Sequence, residues 1–417
     1  MELEKYSMGV GDRLFGFECS AQLRALQKAA ASGIQIVPVW NKSHREHSIT
    51  GTVPEDSRKA ADAAVRSCQW TDSYYVDADH IGLATVDAFL SSSDFFTIDV
   101  ADFIGVPMGG RQKSSFVAAM SRYKGSHEIP GLSAPIEITD RALESFADTY
   151  CHAIAEAGNV YHYIAEKRGA GSFITEVSMD EARSAQTPVE LFLILAGIAH
   201  EGVPIQTIAP KFTGSFLKGI DYVGDPRQFS QEFDAYLAVI SYAVARFDLP
   251  GNLKLSIHTG SDKFTLYSII HRAIKRMDAG VHLKTAGTTW LEEVIGLAAS
   301  GGAGLQFAKE IYRESSLRRD ELCKPYLAVI NIDEDQLPPP AEVASWSSEE
   351  FVRALQHDPL CKSYNPHLRQ LIHVGFKVAA GMKTRFRELL VECRAAIEDN
   401  VTRNLYERHI RPLFLGF

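Results

Sequence analysis

The feature that most constrains the fold is a regular alternation of short apolar runs with longer helical stretches. Eight runs of β-type residues recur along the chain, and each ends in a polar or ionisable cluster before a stretch with helical apolar spacing. This alternation predicts βα units that share a parallel sheet. The predicted strands cover residues 34–39, 73–77, 95–99, 173–176, 204–208, 253–258, 281–284 and 326–332.

Eight such units favour a closed (β/α)8 barrel, in which the carboxyl ends of all strands surround one mouth. An open, doubly wound sheet has the same alternation, but the sequence contains neither G-x-G-x-x-G nor G-x-x-x-x-G-K-[ST]. We therefore predict a catalytic barrel over residues 1–335 with a Gly- and Pro-rich insertion around 105–140. Residues 336–417 read as a helical extension that packs on the barrel or mediates self-association, which would make the protein a homo-oligomer.

The net charge and the first residues of the chain limit the classes of partner that we expect. Lys and Arg number 43 against 52 Asp and Glu, for a formal net charge of -9, which argues against a nucleic-acid partner. The start, MELEKYSMGV, carries acidic residues where a signal peptide is basic, and the apolar run 191–199 is too short to span a bilayer. We expect a cytoplasmic protein with no membrane partner.

Histidines occupy the ends of three predicted strands. Asp77-Ala78-Asp79-His80 closes the second strand, and strand alternation places the two aspartates on one face with His80 opposite or at the bend. His258 and His282 stand in the sixth and seventh strands. A single histidine in a strand is usually a buried residue whose ring nitrogens are hydrogen-bonded. Three histidines at one mouth favour a metal site instead, because imidazole nitrogens bind Zn, Mn, Ni or Fe(II) and three ligands leave coordination positions open for substrate.

A carboxylate and several lysines accompany the histidines. Glu176 ends an apolar strand, where desolvation raises a carboxyl pKa into the range for acid/base work, although a structural ion pair with a lysine is an equal alternative. Lysines after neighbouring strands are placed to hold an anionic group at the same mouth, or are solvated loop charges. The predicted substrate contacts are Lys211, Asp262, Lys263, Lys284 and Thr285.

Long stretches around these residues resemble the tagaturonate epimerase family, the hexuronate C4-epimerases of bacterial uronate catabolism. They include MGVGDRL, PVWNKSHREHSI, YYVDADHI, TEVSMDE, PIQTIAPKFTGSF, NLKLSIHTGSDKF and HLKTAGTTWLEE, spread over essentially the whole chain. The resemblance implies a metal-dependent isomerase that interconverts D-tagaturonate and D-fructuronate. It places the proton acceptor on Asp79, an acid/base partner on Glu176, and a divalent metal cation on His80, His258 and His282, with base and ligand roles exchangeable.

The chemistry of such a substrate limits the mechanism. The C4 hydrogen of a 2-keto sugar acid lies β to the carbonyl, so simple enolisation cannot remove it. Either the C3–C4 bond breaks by retro-aldol cleavage and reforms on the other face, or C4 is transiently oxidised by a nicotinamide. The missing glycine-rich turn argues against oxidation. For cleavage, a metal would stabilise the enediolate while a carboxylate takes the C4 hydroxyl proton.

Two other functions fit the same residues. A metal-dependent sugar-acid aldolase or a ketose/aldose isomerase would use the same enediolate without re-addition to the second face. A sugar-acid binding protein on a barrel without activity is the non-enzymatic alternative. In every case the expected partner is a small molecule, a ketouronate on the favoured interpretation.

Overall fold

A closed barrel of parallel strands organises the molecule. The computed structural model describes residues 1–285 and 287–417. Within them, eight strands form the barrel and two form a separate antiparallel hairpin. The strands are β1 (Tyr6–Val10), β2 (Val37–Ser43), β3 (Tyr75–Ile81), β4 (Phe95–Asp99), β5 (Gly125–His127), β6 (Ile136–Ile138), β7 (Ile174–Ser178), β8 (Thr207–Ala209), β9 (Lys254–His258) and β10 (Val281–Lys284).

The barrel follows chain order, because β1 pairs with β2 on one side and with β10 on the other. The predicted (β/α)8 fold is thus confirmed, but the eighth predicted strand is wrong. Residues 326–332 form the end of a short 3₁₀ turn, Lys324–Tyr326, and irregular chain. With β1 already hydrogen-bonded between β2 and β10, the closed sheet leaves no edge that the later run could join.

Helices surround the barrel and continue to the end of the chain. The helices are α1 (Cys19–Ala31), α2 (His44–Thr50), α3 (Pro54–Ser67), α4 (Gly110–Met120), α5 (Asp140–Arg168), α6 (Pro188–His200), α7 (Pro226–Val244), α8 (Phe264–Arg276), α9 (Gly287–Ala299), α10 (Gly302–Leu317), α11 (Arg319–Cys323), α12 (Pro340–Ser345), α13 (Ser348–Leu355), α14 (Pro366–Val374), α15 (Phe376–Gly381), α16 (Lys383–Glu392) and α17 (Arg394–Arg403). A π-helical segment, Asn404–Leu415, follows α17. No helix of the described residues is long and apolar enough to cross a bilayer.

The carboxyl-terminal helices pack directly on the barrel's helical ring. Helix α17 lies along α9 and α1, and the π-helical segment lies along α8. The buried Trp290 of α9 donates its indole N–H to the carbonyl of Ile372 in α14, at 2.8 Å. Helix α4 and the β5–β6 hairpin occupy the long connection between β4 and α5.

Two kinds of side chain fill the barrel interior. The amino-terminal half is plugged by an apolar cluster distinct from the core between strands and helices. Above it, toward the carboxyl ends, the inward positions turn polar and charged. The plug consists of Leu3, Val37, Val39, Tyr75, Phe95 and Ile174.

Candidate active site and metal centre

A local irregularity in β3 brings both Asp79 and His80 to the mouth. The register of β3 against β4 shifts between Ala78 and Ile81, and His80 has a φ of +54°, which is uncommon for a residue with a side chain. Regular alternation would have sent Asp79 and His80 to opposite faces. Instead both side chains border the same cavity, with His80 Nδ1 3.0 Å from Asp79 Oδ1.

Three side chains from different strand ends converge at this mouth. His80, Asp180 and His258 each offer a ligand atom, and these atoms lie within 4.8 Å of one another. His80 Nε2 is 3.3 Å from one Asp180 oxygen, and His258 Nδ1 is 3.2 Å from the other. Asp180 stands two residues beyond the end of β7, so the three residues come from β3, the loop after β7, and β9.

The second nitrogen of each imidazole is held by another carboxylate. Asp79 contacts His80 Nδ1, and Glu176 Oε1 lies 2.8 Å from His258 Nε2. Metal-binding histidines usually have such a carboxylate partner, which fixes the orientation of the ring and raises its basicity. Asp79 and Glu176 therefore orient the two histidines, whichever proton-transfer role either also has.

The chemistry of His80, Asp180 and His258 is suited to binding a divalent cation. His258 Nδ1 is buried and faces Asp180 at 3.2 Å, but among the described residues no contact of this nitrogen has hydrogen-bond geometry, so it is free to bind an ion. Burial opposes protonation of His80, but Asp79 and Asp180 outweigh it and raise the pKa of that imidazole well above its usual value. Two imidazoles and one carboxylate suit Zn, Mn, Ni or Fe(II), and three protein ligands leave coordination positions free.

A buried lysine neutralises the carboxylates beneath this group. Lys284 Nζ lies 2.8 Å from Asp77, 2.8 Å from Asp79 and 3.2 Å from Glu176. Burial raises the pKa of Asp77 to about 6, although Lys284 opposes the rise. Burial also tends to raise the pKa of Asp79 and of Glu176. Lys284 and the neighbouring histidines outweigh burial, however, and hold the pKa of both carboxyls well below the usual value. Both are therefore ionised at neutral pH.

The mouth encloses a cavity with two adjoining regions. The wider region, of about 410 Å³, borders Asp180 and His258, and the narrower, of about 310 Å³, borders Asp79 and His80. These volumes are typical of small-molecule sites. A larger cavity of about 640 Å³ lies at the opposite end of the barrel, beside Lys254 at the start of β9. Barrel enzymes carry their chemistry at the carboxyl ends, so the mouth is the better candidate.

His282, one of the predicted metal ligands, is not in the converging group. It precedes Lys284 by two positions on β10, so it points into the barrel one layer deeper. Its Nδ1 lies 2.8 Å from Ser7 Oγ, and its ring packs 5.3 Å from that of Phe95. Burial lowers its pKa to about 3. In the structure Asp180 occupies the place that the sequence assigned to His282.

The predicted substrate contact Asp262 is buried behind the mouth and engaged by protein groups. It accepts from Arg369 Nη2 at 2.7 Å, His357 Nδ1 at 3.0 Å and Thr288 Oγ1 at 2.9 Å. His409 Nε2 lies 3.2 Å away. The side chain therefore links the loop after β9 to the carboxyl-terminal helices instead of facing the cavity.

The remaining predicted contacts divide between the interior and the cavity. Lys263 Nζ is enclosed by four oxygens, including the carbonyls of Leu217 and Ile220 at 3.0 and 2.8 Å. Thr285 is buried and donates its backbone N–H to Gly9 O at 2.9 Å. Lys211 does border the wider region of the cavity.

Several residues that border the cavity were not predicted from the sequence, among them Asp180, Arg13, Arg45 and Lys218. Asp180 follows a predicted strand in TEVSMDE, so the rule that found Glu176 could have found it as well. Arg13, Arg45 and Lys218 lie on loops or short helices away from the predicted strand ends, and only the fold brings them to the mouth.

Fold and site together are those of a (β/α)8-barrel enzyme, with histidines and carboxylates at the carboxyl ends of its strands that suit acid/base chemistry and would fit a cation. A sequence model of the tagaturonate epimerase family matches residues 1–413, and the chain belongs to this family. It is therefore an isomerase of the epimerase type, as the sequence resemblance predicted.

Individual proteins resemble the chain in sequence or in fold. The chain is 27% identical to the tagaturonate/fructuronate epimerase of Thermotoga maritima over 97% of its own length and 80% of that protein's. Its fold matches the fructuronate-tagaturonate epimerase of Cohnella laeviribosi complexed with two glycerols, with a TM-score of 0.81, 22% identity, and coverage of 99% of this chain and 82% of that one. The native structure of the same enzyme matches with a TM-score of 0.79 and 23% identity. That comparison covers 98% of this chain and 81% of the other.

Proposed function

We propose that this protein interconverts D-tagaturonate and D-fructuronate by inverting C4, with a divalent cation held by His80, Asp180 and His258. The observation that carries the proposal is the pair of histidines that meet Asp180, each backed by a carboxylate, at the mouth of a family barrel. When bound, the cation supplies Lewis-acid stabilisation of negative charge on the C2 and C3 oxygens.

Asp79 is the better placed of the two predicted acid/base residues. It borders the cavity, and its lowered pKa keeps it ionised as a proton acceptor. Asp79 takes the C4 hydroxyl proton as the C3–C4 bond breaks, C4 becomes an aldehyde, and the bonding pair moves into a C2–C3 enediolate. After the aldehyde rotates, the pair re-forms the bond on its other face, and Asp79 returns the proton to the C4 oxygen.

Glu176 acts differently in this proposal. Its side chain is fully buried beneath His258, between that ring and Lys284. A carboxylate in this position orients the imidazole and tunes its basicity, which is a positioning role. The acid/base partner that the resemblance implied at Glu176 is therefore assigned to Asp79, acting in both directions.

Chelation and product analysis test the activity. Purified protein, chelated protein and protein reloaded with a single metal are each incubated with D-tagaturonate, and the products are followed by NMR. We expect D-fructuronate, lost on chelation and restored by metal. A short aldehyde would indicate an aldolase, an aldose would indicate a 1,2-isomerase, and full activity after exhaustive chelation would exclude the metal.

Metal content tests the ligand set independently of turnover. We expect His258→Ala to lose bound metal by elemental analysis, while His282→Gln, which alters a histidine in the same barrel outside the group, retains it. A His258→Ala variant that keeps its metal and its rate contradicts the assignment.

An isotope experiment tests the bond that breaks. Substrate carrying deuterium at C4 should show no primary kinetic isotope effect, because retro-aldol cleavage leaves the C4–H bond intact. A large primary effect would point to oxidation at C4 instead.

A further inference from the structure

We propose that Lys218, with Arg13 across the narrower part of the mouth, binds the carboxylate of the substrate and makes the site selective for sugar acids over neutral ketoses. This inference rests on the proposed function and names the residues that recognise its substrate class. Lys218 lies between β8 and α7, is partly buried, and borders both regions of the cavity. A Cβ placed on Gly260, two residues beyond His258, would lie 3.4 Å from its Nζ.

The other buried lysines of this region already have protein partners. Lys284 is neutralised by three carboxylates, and Lys263 Nζ is enclosed by four oxygens. Within residues 1–285 and 287–417, by contrast, no carboxylate lies within ion-pair distance of Lys218 Nζ. Its ammonium is therefore available to an anion that enters the cavity.

A second cation faces the same space. Arg13 borders the narrower region, its Nη1 is 3.6 Å from Glu46, and its buried Nε lacks a hydrogen-bond partner among the described residues. Burial first, and then the nearby charge of Arg13, lower the pKa of Lys218, while Glu181, Asp180 and Glu46, none within ion-pair distance of its Nζ, oppose the shift. Two cations that repel each other across a cavity are stabilised when an anion lies between them. A carboxylate also matches the fork of N–H donors on a guanidinium.

The backbone that carries Lys218 is held from several sides. Its own N–H donates to Val329 O at 2.8 Å, and the N–H of Gly219 donates to Ser261 Oγ at 2.9 Å. Arg369 Nε donates to Gly219 O at 2.6 Å. Lys263, predicted as a substrate contact, instead donates to the carbonyls on either side of Lys218 and so fixes this segment. A preorganised cation loses less entropy when it binds its ligand.

Lys211 is the competing candidate, and the structure favours it less. It borders only the wider region of the cavity. Its backbone N–H donates to Gln186 Oε1 at 2.7 Å, but it lacks the set of bonds that fixes the segment around Lys218. Unlike Lys211, Lys218 reaches both the side of the cavity with His258 and the side with His80; Arg45 and Glu181 also border both sides, but the Arg45 side chain is exposed.

The test compares two sugars that differ only at C6, where D-tagaturonate has a carboxylate and D-tagatose has a hydroxymethyl group. Metal-loaded Lys218→Met, Lys218→Arg and Lys211→Met are assayed for kcat and KM, with exposed Lys362→Met as the control for loss of a charge. Calorimetric binding of both sugars is measured in parallel. For Lys218→Met we expect tagaturonate affinity to fall about 10- to 100-fold, as for loss of a hydrogen bond to a charged group.

The same variant should bind tagatose with an affinity within about threefold of the wild type, because tagatose has no carboxylate for Lys218 to bind. Retained tagatose binding also shows that the variant is folded. Lys218→Arg should retain most of the preference for the acid. Unchanged tagaturonate affinity in Lys218→Met, an equal loss for both sugars, or a larger loss in Lys211→Met overturns the inference. If the wild type binds tagaturonate but returns it unchanged, the proposed function fails while the binding data still decide the role of Lys218.

Discussion

At the scale of single residues, Lys284 is the group on which the charge balance of the site depends. Its ammonium contacts Asp77, Asp79 and Glu176, and none of the four side chains is more than slightly exposed. Removing one partner of a buried ion pair leaves uncompensated charge in a medium that solvates it poorly. We expect Lys284→Met to lower the free energy of unfolding by about 3–5 kcal/mol in urea titrations. Exposed Lys59→Met, which breaks a surface pair with Glu55, should change it little.

A second substitution tests whether charge is the cause. Asp77 is the most weakly ionised of the three carboxylates, because burial raises its pKa to about 6. Adding Asp77→Asn to Lys284→Met removes one of the charges left unpaired, so the double variant should recover part of the lost stability in a double-mutant cycle. If the two losses simply add, the cost of Lys284→Met comes from packing and not from charge.

The residues of the site show where sequence reasoning succeeds and where it stops. His80 and His258 were predicted because a polar residue at the carboxyl end of a barrel strand must face the mouth. His282 satisfied the same pattern but lies one layer too deep, since a position within a strand does not reveal its height in the barrel. Lys218 had no signal, because it stands in a long loop whose path depends on bonds to Ser261, Val329 and Arg369.

At the scale of elements, seven of the eight barrel strands were predicted from the sequence, and the eighth, β1, was not. The reason that β1 was missed is informative. β1, with the sequence YSMGV, has weak strand propensity, yet Gly9 is required there because a Cβ would lie 2.9 Å from Lys284 Cγ. The apolar run 326–332 has strong propensity, yet it forms a loop at the mouth where Val329 supports Lys218. Position in a closed sheet therefore outweighed local propensity in both segments.

The loop after β9 is the element that joins the site to the carboxyl-terminal helices. Asp262, in this loop, forms a fully buried ion pair with Arg369 of α14. We expect Asp262→Asn to lower the free energy of unfolding by about 3–5 kcal/mol, because it leaves a buried guanidinium without its nearest charge partner. It should also weaken metal binding, since His258 ends β9 immediately before this loop.

A surface pair of the same chemistry provides the control for this element. Asp234→Asn also removes an arginine's partner, but Arg276 is exposed and Asp234 is partly exposed, so the change should be about 1 kcal/mol or less. Chemical unfolding and metal titration of both variants give the comparison. Equal effects for Asp262 and Asp234 would show that the helices do not depend on this link.

At the scale of the whole molecule, the helical extension and the barrel share a core that contains buried acids. Glu18 precedes α1 and Glu293 lies in α9, and both are nearly inaccessible to solvent. Burial, with Asp12 adding to it, raises the pKa of Glu18 to about 8 and raises that of Glu293 well above its usual value. Among the described residues, neither carboxyl oxygen of Glu293 has a hydrogen-bond partner.

These raised values make stability depend on pH in a defined direction. A carboxyl whose folded pKa lies above its unfolded value of about 4.5 binds more protons when folded, so its contribution to stability is lost as pH rises. Gln at position 293 does not titrate. The advantage of Glu293→Gln over the wild type should therefore grow between pH 5 and 7, by up to about 1.4 kcal/mol per pH unit.

Measuring this advantage as a difference isolates one group from the others. Burial lowers the pKa of Lys254 and of Lys263 to about 7, so these lysines also titrate in this range, but they do so in both proteins and cancel when the two unfolding free energies are subtracted. Urea unfolding at pH 5, 6 and 7 gives the difference, with exposed Glu388→Gln as the control that should show no trend. A pH-independent difference for Glu293→Gln would mean that Glu293 is ionised in the folded protein, so that Lys42 must then neutralise it inside the core.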